Sequence, residues 1–152
     1  RSLSIKADKL RELNLKKLKT EVLDLSGSSL ENLEILDTTG SKFRDITPDT
    51  FEVVKNLKTL NLGGNRLTKV PDGISQLKEL QIIKLSWNPL REPYEQVISS
   101  PLMDIDSLKK INIIQAGPES FENKKKIEKK IETITIEGKE IVKTVPVVAK
   151  KS

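Results

Sequence analysis

The sequence predicts an α/β repeat solenoid: a curved stack of coils with a parallel β-sheet on the concave side, irregular or helical chain on the convex side, and a C-terminal cap. Three observations lead there. The phrase L-x-x-L-x-L, with Ile or a small residue at some of its positions, starts at Leu10, Leu33, Leu57, Leu80 and Leu108. The intervals are 23, 24, 23 and 28 residues, and periods of roughly 20–29 residues belong to units that run out along a strand and return. Within each phrase the apolar residues alternate, so they share one side of a strand while the residue between them faces away.

Each unit can be followed in order. The clearest is LKTLNLGGNRLTKVPDGISQLKE, residues 57–79, with Leu57, Leu60, Leu62, Asn65, Leu67, Val70, Pro71, Ile74 and Leu77 as its skeleton. LQIIKLSWNPL repeats the opening with Leu80, Ile83, Leu85, Asn88 and Leu90. Upstream the same frame holds Leu33, Leu36, Thr38, Ser41, Phe43 and Ile46, and before it Leu10, Leu13, Leu15, Leu18, Leu23 and Leu30. Downstream it holds Leu108, Ile111, Ile113 and Ala116. Leu60, Leu62, Ile83 and Leu85 are expected in the shared core, each contributing roughly 1.5–3 kcal/mol when fully buried. Asn65 and Asn88 turn the chain out of the strand, and their buried amides can satisfy backbone groups of adjacent coils.

This pattern resembles the leucine-rich repeat family, L-x-x-L-x-L-x-x-N-x-L, over roughly residues 10–116. LTKVPDGISQL looks like the short L-x-x-L-P-x-x-I-x-x-L variety found in bacterial proteins and in intracellular signalling scaffolds. Ser41 is a common substitute for the Asn, whereas Leu18 and Ala116 depart from it. The resemblance implies a horseshoe arc whose concave sheet binds a protein partner. The expected organisation is a flank at 1–9, repeats at 10–117, and a cap at 118–152.

One phrase competes for the frame. LDLSGSSL, with Leu23 and Leu25, looks as much like a strand and turn as LEILDTTGSKF does, yet lies only 13 residues before it. Thirteen residues cannot close a coil. Leu23 and Leu30 are therefore read as the convex return of the first coil, with a rearranged coil starting at VLDLSG as the alternative. Val70-Pro71 and Ile46-Thr47-Pro48 mark extended segments, because Pro disfavours helix in the residue before it. The 28-residue interval holds three prolines, Tyr94 and Met103, so it should bulge on the convex side. After Pro118, Phe121, Ile127 and Ile131 among lysines suggest an amphipathic helix. Ile134 and Ile136, then Glu137-Gly138, then Ile141, Val142 and Val145 suggest a β-hairpin; a junction or tail is the alternative.

Composition narrows the chemistry. The chain of 152 residues contains no Cys and no His, which removes disulfides, thiolate nucleophiles, zinc–thiolate sites and the commonest general base. No cofactor or metal motif is present. NLGGN is followed by no Lys-Ser/Thr and is not a phosphate loop. No stretch is apolar enough for a membrane span. The expectation is a non-enzymatic module, and the compartment stays open between cytoplasm and a bacterial surface or secreted location.

The frame also assigns the concave surface. The expected contacts are Trp87, Ile82, Lys84, Lys58, Asn61, Ile35, Asp37, Lys109 and Asn112. Trp87, the single Trp, has two readings: a hot spot for binding, or a ring laid flat over Gly64. This face carries seven cations (Arg11, Lys16, Lys17, Lys58, Lys84, Lys109, Lys110) against three acids (Glu12, Glu34, Asp37). A polyanion or surface glycan is therefore an alternative partner. Aromatic residues make up only 3%, which argues against nucleic acid. A scaffold or dimerisation segment of a larger protein is the third reading.

Overall fold

The apolar alternation of the repeats produces very short strands, set at equal intervals by the repeat length. The computed structural model describes residues 2–117 and 129–147. In chain order its elements are β1 (Glu12–Asn14), β2 (Val22–Leu23), β3 (Ile35–Asp37), β4 (Asp45–Ile46), α1 (Pro48–Val53), β5 (Thr59–Asn61), β6 (Ile82–Lys84), α2 (Pro93–Ile98), β7 (Lys110–Ile113), β8 (Lys129–Ile136) and β9 (Lys139–Pro146). Single 3-10 turns occupy Ile74–Gln76 and Pro101–Asp104.

The main sheet has the order β1-β3-β5-β6-β7-β9-β8. Its parallel register places Leu13, Leu36, Leu60, Ile83 and Ile111 side by side, one per coil. The frame starting at Leu10 is thus the frame of the structure. Leu33, Leu57, Leu62, Leu80 and Leu85 are buried beside this column. Because a coil cannot cover its own apolar face, each gains most of its stability from its neighbours.

The convex side is built from different local structures. LDLSGSSL does lie there: β2 pairs in parallel with β4, with Leu23 beside Ile46. Its likeness to LEILDTTGSKF has a local cause. Asp24 Oδ1 accepts hydrogen bonds from the Ser26 amide at 3.0 Å and hydroxyl at 2.6 Å. Asp37 Oδ1 accepts the same pair from Thr39, at 2.9 and 2.6 Å. Ser28 and Ser41 also act alike. Ser28 accepts from the Ile5 amide and donates to the Leu3 carbonyl; Ser41 accepts from the Leu18 amide and donates to the Leu15 carbonyl. One turn chemistry serves both sides of the coil.

The prolines place the convex helices. Thr47 is extended and Pro48 opens α1, burying Phe51. Pro93 opens α2, and Pro101 opens the second 3-10 turn, so the long interval folds as a bulge with Val97 and Leu102 inward. Ser107 closes it, donating to the Lys78 and Leu80 carbonyls.

At the C-terminal end β9 runs parallel to β7 and β8 returns antiparallel to β9. Glu137 and Gly138 form the turn, with φ of 50° and 80°. Ile141 is fully buried beside Ile111. Lys143 Nζ lies 3.8 Å from the centre of the Tyr94 ring, joining the hairpin to α2 through a cation–π contact. The helix expected after Pro118 falls on residues 118–128, outside the described residues. Ile131, which that reading included, is in β8 instead: its neighbours alternate in the strand period and pair with β9.

At the N-terminal end residues 3–7 run beside 24–29, with the Leu3 amide on the Asp24 carbonyl and a bridge between Lys6 and Ser29. Nothing described stacks on β1, and Leu10, Leu13, Leu15 and Leu18 are only half-buried.

Candidate functional site

The concave surface is a set of columns that cross the coils, and each column has its own chemistry. The first runs Glu12, Ile35, Thr59, Ile82, Lys110. Ile35 and Ile82 therefore share one line, two strands apart, with Thr59 between them. Ile35 is 37% exposed and Ile82 half-buried.

The second column runs Asn14, Asp37, Asn61, Lys84, Asn112. Its polar members mainly shape the turn. Asn14, Asp37, Asn61 and Asn112 each accept a hydrogen bond from the amide two residues on, at 2.9–3.1 Å. Such Asx turns substitute for a backbone turn. Three expected contacts, Asp37, Asn61 and Asn112, thus hold structural positions that sequence reading did not assign them. Lys84 breaks the series; there the Ser86 hydroxyl donates to Asn112 Oδ1 of the next coil at 2.8 Å.

The third column is defined by backbone. Lys17, Gly40, Gly64, Trp87 and Gln115 have φ of 60°, 70°, 67°, 59° and 56°. In this left-handed form the Lys17, Gly40 and Gly64 amides reach the carbonyls of Thr39, Gly63 and Ser86 in the next coil. The turn thus extends the sheet ladder by one bond per coil. Gly64 suits this conformation, and a Cβ there would press on the Gly40 backbone at 3.3 Å. Trp87 adopts it at a steric cost that an L-residue avoids elsewhere. The residue is 52% exposed. The two preceding coils carry only glycine in this column, so bare backbone runs in line with Trp87.

The charges are less one-sided than their count. Glu34 lies 3.4 Å from Arg11 and 3.3 Å from Lys58, and Asp37 lies 3.4 Å from Lys16. Partial burial pushes the Asp37 carboxyl up, but the Thr39 hydroxyl and amide bonds and the Lys16 ammonium outweigh it and hold it below 3.8. The exposed cations Lys84, Lys109 and Lys110 gather at the C-terminal half of the face. The hairpin continues the surface there, setting Glu140 beside Lys110 and Val142 beside Asn112. The strand alternation of ETITIEGKEIVKTV was the signal for the hairpin; nothing local announced that β9 would join β7.

Asn65 and Asn88 lie beneath the surface, fully buried. Asn65 Oδ1 accepts from the Phe43 amide, and its Nδ2 donates to the Thr38, Leu62 and Gly63 carbonyls. Asn88 does the same toward Leu67, Leu62, Leu85 and Ser86.

Residues 31–90 match the family model described as leucine rich repeat. Over 81 residues the chain is 37% identical to the probable inactive serine/threonine-protein kinase roco10 of Dictyostelium discoideum, covering 53% of this chain and 3% of that protein. Over 106 residues it is 29% identical to the U2 small nuclear ribonucleoprotein A' of Homo sapiens, covering 69% of this chain and 40% of that protein. The mouse protein of that name matches equally. The chain therefore spans less than half the length of these relatives. Sequence match, repeat frame and stacked parallel strands together define the class: this is a leucine-rich-repeat protein. These relatives are eukaryotic and lend no support to the bacterial source suggested by the short repeat variety. Among the described residues, no helix is long and apolar enough to cross a membrane.

Proposed function

We propose that the chain is a non-catalytic protein-interaction module that holds its partner on the concave sheet. The repeats at 10–117 form the binding arc, between the flank at 1–9 and a cap at 118–152. The observation that carries the reading is Trp87: a half-exposed aromatic residue held on left-handed backbone, in line with two glycine turns and on the same coil as Ile82. A flat amphipathic ring contributes much contact area at low entropic cost. The sheet beneath it is hydrogen-bonded coil to coil, so little ordering accompanies binding. Ile82 and Ile35 extend the apolar strip, while Lys84, Lys109 and Lys58 supply a basic rim. The partner best matched is a protein segment with an apolar anchor and acidic flanks.

The test compares capture by wild type and by Trp87→Gly. Glycine suits φ near 59°, so the variant removes the ring and keeps the turn. Loss of a saturable protein partner on Trp87→Gly supports the reading. Equal capture moves the site off this face. Binding that survives the substitution but collapses as salt rises identifies a polyanion instead.

A further inference from the structure

The two ends of the sheet differ in kind. β1 is three residues long, whereas β8 is eight, and among the described residues β8 is the last strand of the sheet, with no further strand on its outer side. β7 matches β9 only from Glu140 to Lys143; past that point Gln115 holds the hairpin, its amide donating to the Thr144 hydroxyl and its Oε1 accepting from Lys129 Nζ. Ile131, near the start of β8, is 65% exposed, more than any other large apolar residue described. A long unpaired edge is a template for another strand.

Strand geometry says which groups are offered. The two-residue turn makes Ile136 and Lys139 the first hydrogen-bonded pair of the hairpin. Alternation then turns the N–H and C=O of Lys130, Glu132 and Ile134 toward β9, and those of Ile131, Thr133 and Thr135 outward.

We propose that the chain forms a two-fold dimer by antiparallel pairing of β8 with β8 of a second copy, centred on Ile131. Charge selects both the occupant and the register. Lys130-Ile131-Glu132 is complementary to itself when reversed: Ile131 meets its own mate, and Lys130 lies opposite Glu132 of the second copy, twice. These are the non-hydrogen-bonded positions, where facing side chains come closest and opposite charges stabilise the pairing. Centring on Glu132 would set the two glutamates against each other. Centring on Thr133 would set Glu132 against Ile134 and Lys130 against Ile136. Glu132 also lies 3.9 Å from Lys143 of its own hairpin, so in the dimer it sits between two cations. The contact uses none of the residues placed in the concave site and stands apart from the reading above.

The experiment is light scattering on the 152-residue chain over a concentration series, with Lys130→Glu and with the double variant Lys130→Glu/Glu132→Lys. Lys130 is exposed and Lys130→Glu leaves the Lys143 contact untouched, so circular dichroism should show an unchanged fold. The expected result is a wild-type dimer, weakening of roughly tenfold or more in Lys130→Glu as like charges face each other, and partial recovery in the double variant, where Glu132→Lys restores the cross-dimer pair but sets a second cation beside Lys143. A wild type that stays monomeric at every concentration overturns the proposal and leaves the edge to a strand of another protein. A dimer indifferent to Lys130→Glu also overturns it, because the copies then meet elsewhere.

Discussion

Asn65 shows how much one side chain can hold. Its amide serves four backbone groups in two coils while fully buried. In Asn65→Ala the Phe43 amide, in a fully buried residue, loses its partner. Chemical denaturation should show a loss of roughly 2–3 kcal/mol, near the upper range for an orphaned buried group. Asp37 gives a pH-dependent counterpart. Its folded carboxyl titrates below the ordinary 3.8, so the folded chain binds fewer protons than the unfolded one near that pH. Its contribution is complete above the unfolded value and fades as pH falls through the folded one. Stability should therefore fall below about pH 4. Asp37→Asn should flatten that fall while keeping the turn, since Asn14 and Asn61 make the same bond. Trp87→Gly trades relief of the left-handed backbone against a more flexible unfolded chain. Its stability should stay within about 1 kcal/mol of wild type, which thermal unfolding would check.

The convex segments have short, dissimilar elements, so hydrogen bonds from side chains do the work that strand pairing does on the concave side. Ser28 joins the first return to residues 3–5. Thr50, at the start of α1, accepts from the Leu25 amide and donates toward the Leu23 carbonyl. Gln96 in α2 accepts from the Val70 amide and donates to the Thr68 carbonyl. This second ladder ties the 28-residue coil to the 23-residue one before it. Thr50→Val keeps the volume but removes the acceptor. It should cost about 1–3 kcal/mol, and amide exchange at Leu25 should accelerate.

Taken as a whole, the stack is a one-dimensional array whose ends are unequal. The C-terminal end carries a hairpin with Ile141 buried, and Lys143 fastens it against Tyr94. At the N-terminal end the leucines of the first coil stay half-buried, and only the convex half of that coil is covered, by residues 3–7. In such arrays stability is a sum of unit and interface contributions, and opening starts where interfaces are missing. Native-state hydrogen exchange should show protection lowest around β1, rising through β3 to a maximum at β5 and β6. Uniform protection along the stack would mean that the repeats unfold as a single unit.

The repeat frame, the strand positions and the buried Asn residues were legible in the chain, because each depends on spacing. Leu36, Leu60 and Ile83 fall into one column once the steps of 23 and 24 residues are read, and thirteen residues cannot return a strand to its start. The concave columns followed from the same frame, which placed Ile35, Ile82 and Trp87 on the surface where the structure has them. The left-handed turn was half visible in Gly40 and Gly64 but hidden at Trp87, Lys17 and Gln115, since those side chains do not demand that conformation. The turn-forming role of Asp37, Asn61 and Asn112 was not legible, because a polar residue on an exposed face looks the same whether or not it also bonds its own turn. The union of β9 with β7 and the pairing of Glu34 with two cations were decided only by folding. Both join residues remote in sequence, and such pairings depend on which groups the packed coils bring within a few ångströms, a property no local pattern records.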